Sequence, residues 1–170
     1  MELKPLKSAS QIHERVAQLG RQITSDIDGE ELVVVGVLKG SFVFLADLIR
    51  QIKGPVSVEF IGVASYKGTE STGEVRITND LTSEIRGKNV LIVEDIVDTG
   101  TTLDFLLDTI QVRQPKTLRV AAFLSKPESH SMNHKLDYIG FEISKEFVIG
   151  YGLDLDGRYR ELPDLMQVMG

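Results

Sequence analysis

The chain has 170 residues, 42% of them apolar, enough for one domain with a hydrophobic core. It contains no cysteine, which excludes disulfide scaffolds, thiolate metal sites and cysteine nucleophiles. Its 19 basic and 25 acidic side chains leave a net charge of −6. That argues against a general nucleic-acid binder, yet it leaves room for a small phosphorylated ligand held by backbone N–H groups, a few basic side chains and a divalent metal.

The opening MELKPLKSAS lacks the apolar run of a signal peptide. No stretch reaches the roughly 20 apolar residues that span a bilayer. A cytoplasmic location without membrane attachment is the expectation. Ile12, Val16, Leu19 and Ile23 recur at three- and four-residue spacing, which predicts an amphipathic helix over 10–26. His13 and Arg15 on it read as solvated or locally paired surface groups. LVVVGVL at 32–38 predicts a buried strand. After KGS at 39–41 comes a helix over 42–52, with Ser41 as N-cap and Gly54 and Pro55 as its stop.

VSVEFIGV at 56–63 predicts a second strand. The polar, glycine-containing SYKGTESTG at 65–73 suits either a lid or an ordinary hairpin connection. VLIV at 90–93 predicts a strand, 94–102 a turn, 103–113 a helix and TLRVAAFLS at 117–125 another strand. Strand, helix and strand at this spacing form a βαβ unit with a parallel sheet. Phe147 to Ile149 adds a short strand. The segment around His130 and His134 has little helical amphipathicity and reads as a surface loop. No linker divides the chain, so residues 1–170 are expected to form one domain: an open, mostly parallel sheet flanked by helices, with ligands bound outside the carboxyl ends of its strands.

VEDIVDTGTT carries the strongest chemical signal. Gly100 permits a tight path with N–H groups turned inward at a helix start, which suits a phosphate. The hydroxyls of Thr99, Thr101 and Thr102 can add hydrogen bonds. Glu94 and Asp95 suit either the hydroxyls of a sugar phosphate or a magnesium ion held through water, which leaves Asp98 to handle a proton. The same residues also fit an acidic helix N-terminus with ordinary turn chemistry. GxxxxGK[ST] and GxGxxG are both absent from the sequence, which lowers the standing of kinase and dehydrogenase readings.

VLIVEDIVDTGTTL resembles the signature of the type I phosphoribosyltransferases. From about residue 5 to residue 165 the chain resembles their hypoxanthine-guanine subfamily. The resemblance implies a mostly parallel sheet with helices, a small hood region and a flexible lid loop. It implies transfer of a phosphoribosyl group from phosphoribosyl pyrophosphate to nitrogen 9 of hypoxanthine or guanine. It also implies magnesium, a homodimer or homotetramer, and neither nucleic acid nor membrane as partner.

Residue roles follow from the matching motifs. VLKGS places Lys39 and Gly40 at the pyrophosphate, with a cis peptide bond between them. SYKG places Ser65 and Tyr66 there as well, and Arg160 joins them. Glu94, Asp95, Asp98, Thr99, Gly100, Thr101 and Thr102 match the ribose-phosphate loop, with Asp98 as the general base. Thr101 stands where many members carry lysine. Lys126, Phe147, Val148 and Asp154 match the purine site. Lys126 favours a 6-oxo over a 6-amino group because an ammonium only donates hydrogen bonds. Glu94, Asp95 and Asp154 match metal-binding positions. The alternatives are a xanthine-preferring relative and a nucleotide-sensing, nucleic-acid-binding regulator on the same fold.

Overall fold

The computed structural model describes residues 1–66 and 74–170. Its elements, in chain order, are β1 (Glu2–Lys7), α1 (Ala9–Ile27), β2 (Leu32–Leu38), α2 (Phe42–Ile49), β3 (Val56–Tyr66), β4 (Glu74–Asn79), β5 (Asn89–Val97), α3 (Thr101–Gln111), β6 (Thr117–Ser125), β7 (Tyr138–Glu142), β8 (Val148–Ile149) and β9 (Leu165–Met169). A single 3-10 turn, Pro127–Ser129, follows β6.

The six-stranded sheet has the order β4-β3-β2-β5-β6-β7. All its pairs are parallel except β3 with β4. A smaller antiparallel sheet, β1-β9-β8, stands as the hood. Helices α1 and α2 pack one face of the main sheet, through Ile12, Val16, Leu19, Ile23, Phe44 and Leu48. Helix α3 packs the other, through Leu103, Leu106, Leu107 and Ile110. The expected α/β architecture is therefore present, with helices on both faces.

Local chemistry accounts for several boundaries. The first helix begins at a capping box: the Ser8 hydroxyl accepts from the Gln11 N–H at 3.2 Å, and the Ser8 N–H donates to the Gln11 side chain at 2.9 Å. The next helix is shorter than expected and ends at Ile49 rather than at 52. Residue 51 is already pinned, because a Cβ on Gly20 of α1 would overlap Gln51. Ser41 does not cap by its side chain. It has αR backbone angles, and its buried hydroxyl donates to the Val37 carbonyl at 2.7 Å.

Strand β5 is longer than expected. It runs through Val97 because β6 continues the ladder, pairing Glu94 with Ala122 and Val97 with Ser125. Glu94 and Asp95 therefore lie in a strand and not in a turn. Phe147 lies just outside its short strand. Arg15 is a further correction. Its guanidinium reaches across to the edge strand β7 and donates to the carbonyls of Ile139 at 2.6 Å and Gly140 at 2.9 Å.

The amino ends of the strands carry a closed polar network. The Asn89 amide donates to Glu30 at 2.9 Å and accepts from the Thr117 hydroxyl at 2.8 Å, and Lys116 pairs with Glu30 at 2.6 Å. At the carboxyl ends, the chain leaves β2 toward β3 on one side, while β5 lies on the other. That reversal of strand order opens a crevice between β2 and β5.

Candidate active site

Four loops meet at this crevice. The first leaves β2 at Leu38, where the Leu38–Lys39 peptide bond is cis. The cis bond thus lies one residue before the expected Lys39–Gly40 position. Lys39 is exposed and Gly40 is buried. A Cβ on Gly40 would overlap the Asp95 carboxylate, and a Cβ on Gly152 would overlap the Gly40 carbonyl oxygen. Gly152 has φ +97°, so both its conformation and its surroundings call for glycine. The loops after β2 and β8 and the Asp95 side chain of β5 are in this way pressed into one unit.

The second loop leaves β5. Glu94 is 8% exposed, and burial raises its pKa well above the usual carboxylate range, with the adjacent Asp95 charge adding to the rise. Burial also raises Asp95. The Ile96 N–H and the Arg160 charge only partly offset that rise, and the Asp154 charge reinforces it. Asp98 is exposed. Gly100, at φ +84°, turns the chain into α3, and the Thr101 N–H donates to the Thr99 hydroxyl at 3.4 Å. A cavity of about 160 Å³ at this helix start is lined by Glu94, Asp98, Thr99, Gly100 and Thr102. First-turn N–H groups lack intrahelical partners, so such a position favours an anion.

The third loop begins at Lys126, whose ammonium lies 4.0 Å from the Asp98 carboxylate. The fourth follows β8. Phe147 is 52% exposed. Asp154 pairs with Arg160 at 3.1 Å and accepts from the Gly157 N–H at 2.8 Å. Arg160 also donates to the Gly152 carbonyl at 2.6 Å. A second cavity, of about 290 Å³, is lined by Asp95, Asp98, Lys126, Phe147, Val148 and Asp154, with Glu146 and Leu153. The two cavities share Ile96 and Asp98. Glu146 was missed in the sequence reading, although it directly precedes Phe147.

Of the positions singled out by sequence, Glu94, Asp95, Asp98, Thr99, Gly100, Thr102, Lys126, Phe147, Val148 and Asp154 line the two cavities; Gly40 and Arg160 touch that lining through Asp95 and Asp154, and Lys39 is exposed and lines neither. Thr101 is exposed and lines neither cavity. Ser65 is exposed near the end of β3, paired with Val75. Tyr66 ends that strand, and its side chain lies outside the described residues, as does the loop reading for 67–73. A larger groove of about 590 Å³ between α1 and α2 contains Arg160 but none of Glu94, Asp95, Asp98 or Lys126. Chemistry therefore places the site in the two smaller cavities.

The phosphoribosyl transferase domain family matches residues 6–156. The chain belongs to the phosphoribosyltransferase family. This phosphoribosyltransferase chain is 48% identical over 170 residues to the hypoxanthine-guanine phosphoribosyltransferase of Dictyostelium discoideum, covering 97% of this chain and 94% of that one. Its fold is similar to a solved hypoxanthine-guanine phosphoribosyltransferase of Bacillus anthracis, with TM-score 0.94, 47% identity and coverage of 99% and 100%. The bifunctional protein TilS/HprT of Listeria monocytogenes is 42% identical over 161 residues, 94% of this chain. The chain spans 25% of that protein's length.

Among the described residues no three acidic or histidine side chains form a ready-made metal cage. The donors present fit magnesium better than a cation held wholly by protein. Magnesium keeps several waters and takes one or two carboxylates together with substrate phosphates. Asp95 and Asp154 both line the second cavity, so an ion of this kind would meet two carboxylates there.

Proposed function

We propose that this single phosphoribosyltransferase domain, residues 1–170, transfers a phosphoribosyl group from phosphoribosyl pyrophosphate to nitrogen 9 of hypoxanthine or guanine. The products are the purine nucleotide and pyrophosphate. One observation carries the reading: Lys126 and Asp98 stand 4.0 Å apart where the two cavities join. Oxygen 6 and nitrogen 7 lie on one edge of a 6-oxopurine. An ammonium that donates to the oxygen and a carboxylate that accepts the nitrogen 7 proton match that edge.

The smaller cavity takes the 5-phosphate on the α3 N-terminus, with Thr99, Gly100 and Thr102. Glu94 and Asp95 receive the ribose hydroxyls. Burial raises the pKa of both carboxyls, and hydroxyl donors or a cation act in the opposite direction by favouring the charged form. Phe147 offers its exposed face to the purine ring, and the Val148 backbone meets the base edge. Lys39, Gly40, Ser65, Tyr66 and Arg160 attend the pyrophosphate, where charge grows as the bond to ribose carbon 1 breaks.

Magnesium, which these transferases generally use, would be held by Asp154 and Asp95, with Glu94 acting through water. When bound it neutralises pyrophosphate charge. As nitrogen 9 attacks carbon 1, the pyrophosphate oxygen leaves with the bonding pair and Asp98 takes the nitrogen 7 proton. Fixing base and sugar in adjoining cavities removes much of the entropic barrier.

No helix among the described residues is long and apolar enough to cross a membrane. A cytoplasmic homodimer or homotetramer is part of the proposal. Phe42 of α2 and Val58 and Phe60 of β3 are exposed, and a second copy of the chain would cover them.

The test is nucleotide formation and pyrophosphate release with magnesium, phosphoribosyl pyrophosphate and hypoxanthine, guanine, xanthine or adenine in turn. The expected products come from hypoxanthine and guanine. Preference for xanthine would overturn the assignment of Lys126. No turnover with any base by folded protein would overturn the activity. In Asp98→Asn, turnover falls by about 10²- to 10⁴-fold with phosphoribosyl pyrophosphate binding largely kept. Unchanged turnover removes Asp98 from the base role.

A further inference from the structure

The segment after the 3-10 turn runs behind the phosphate loop and grips it at three successive levels. The Ser131 N–H donates to the Thr99 carbonyl at 2.9 Å. The Met132 side chain lies over Gly100, where a Cβ would overlap its Cγ and Sδ. One turn further on, Asp104 of α3 accepts from the Asn133 N–H at 2.7 Å, from the His134 N–H at 3.2 Å and from the His134 ring Nδ1 at 2.8 Å. The other ring nitrogen faces Asp108 at 3.4 Å.

None of these strap residues lines either cavity. They act on the reverse side of the turn whose front side lines the smaller one. Within the loop and helix start the backbone has the Asp104 N–H to Gly100 carbonyl bond at 2.8 Å. Gly100 is in the left-handed region, and the described side-chain bonds inside the loop join only Thr99 and Thr101, at 3.3 and 3.4 Å. A glycine-centred turn of this kind has wide conformational freedom, and a phosphate nest works only when its N–H groups already converge.

The Asp104 side chain is 13% exposed. Burial raises its pKa, but the N–H groups of Asn133 and His134 and the His134 ring outweigh that and hold it below the usual aspartate value. The carboxylate is thus charged and multiply bonded, which makes its contacts strong ones.

We propose that His134, acting through Asp104, is a positioning residue that holds the 99–102 turn in its phosphate-binding shape. The inference rests on the reading that this turn receives the 5-phosphate. Its signature is selective. Apart from Ile96 and Asp98, which precede the turn, the purine cavity is lined from other elements, so loss of the latch weakens the sugar phosphate most.

The experiment measures KM for each substrate and kcat in three folded variants. In His134→Leu the KM for phosphoribosyl pyrophosphate rises about tenfold, the size of one lost hydrogen bond to a charged group, while the hypoxanthine KM and kcat stay within about twofold. His134→Asn places a side-chain N–H near the former Nδ1 and restores the value. Met132→Ala frees Gly100 without touching the polar bonds and moves the same KM in the same direction, which keeps the test open if His134→Leu does not fold. An unchanged phosphoribosyl pyrophosphate KM in both His134→Leu and Met132→Ala overturns the proposal, as does an equal loss for both substrates that Asn does not repair. Thr102→Ala serves as the reference. If it raises this KM and the strap variants do not, the latch alone fails. If Thr102→Ala also leaves it unchanged, the phosphate reading fails with it.

Discussion

Gly152→Ala tests the claim that the loops after β2 and β8 are fitted together at one point. The added methyl meets two separate obstacles. The backbone angle, φ +97°, lies where a Cβ is strained, at about 1–2 kcal/mol. The Gly40 carbonyl oxygen also occupies the space the methyl needs, with the Gly40 carbonyl carbon at 3.4 Å and the Val43 Cβ at 3.6 Å. The obstructing atom belongs to backbone and cannot rotate away, so overpacking adds about 1–3 kcal/mol. The expected total is about 2–5 kcal/mol, within the 5–15 kcal/mol that domains possess. Gly29→Ala, at the amino end of β2, is the matched control. It has φ +81°, and nothing lies within 4 Å of its Cβ position, so only the strain of about 1–2 kcal/mol applies. At about 2–4 °C per kcal/mol for a chain of this size, the two variants separate clearly in a thermal melt. Steady-state rates at saturating substrates separate them further. Displacing the Lys39–Gly40 loop by about 1 Å costs about 10²-fold in turnover, whereas Gly29→Ala leaves turnover nearly intact. Equal melting temperatures and equal rates in the two variants would refute the steric argument.

Two other predictions concern stability. Arg15→Ala removes two charge-assisted bonds to the edge strand β7 and lowers stability by about 2 kcal/mol, read from urea unfolding; a change below about 0.5 kcal/mol would mean that water replaces the guanidinium at no cost. Glu59 is held below its ordinary pKa of 4.5 by the Ser83 hydroxyl and by Thr82, against the effect of burial. A depressed carboxylate stabilises the fold above its unfolded pKa and loses that effect as pH falls through the folded value. Glu59→Gln is therefore less stable than the parent at neutral pH, and the gap narrows below pH 4.5; a gap independent of pH in urea melts would contradict the assignment.

Elements whose signal is local were legible in the sequence. Strands β2 and β6 have the expected bounds, because each is an unbroken apolar run between breakers. The face formed by Ile12, Val16, Leu19 and Ile23 is buried as its spacing predicts. What escaped was set by distant partners. β1 contains Pro5 and has no strict alternation, and it is a strand because β9 pairs with it from the far end of the chain. Arg15 looked like a surface group because its carbonyl partners lie more than a hundred residues away.

The same division applies to the site. Residue types and spacing brought out Glu94, Asp95 and Asp98, and the family resemblance brought out Lys126. They did not reveal that the ladder with β6 carries the first two into a strand and buries them. Ser41 has the right identity for an N-cap, but the proximity of Val37 claims its hydroxyl. Glu146 offered no periodic or motif signal of its own.

The polar network at the amino ends of the strands has a consequence for adaptation. Asn89, Glu30, Lys116 and Thr117 stand at the opposite end of the sheet from the crevice, and their hydrogen bonds answer one another. Natural proteins sit near a stability threshold, and substitutions that raise stability often cost activity where they touch a strained site. In this chain the glycine-dependent turns at Gly100 and Gly152 and the costly buried carboxylates Glu94 and Asp95 lie toward the carboxyl ends of the strands. The other end is free to be reworked for a hotter habitat, and a lineage can move its melting temperature there while its turnover stays where it was.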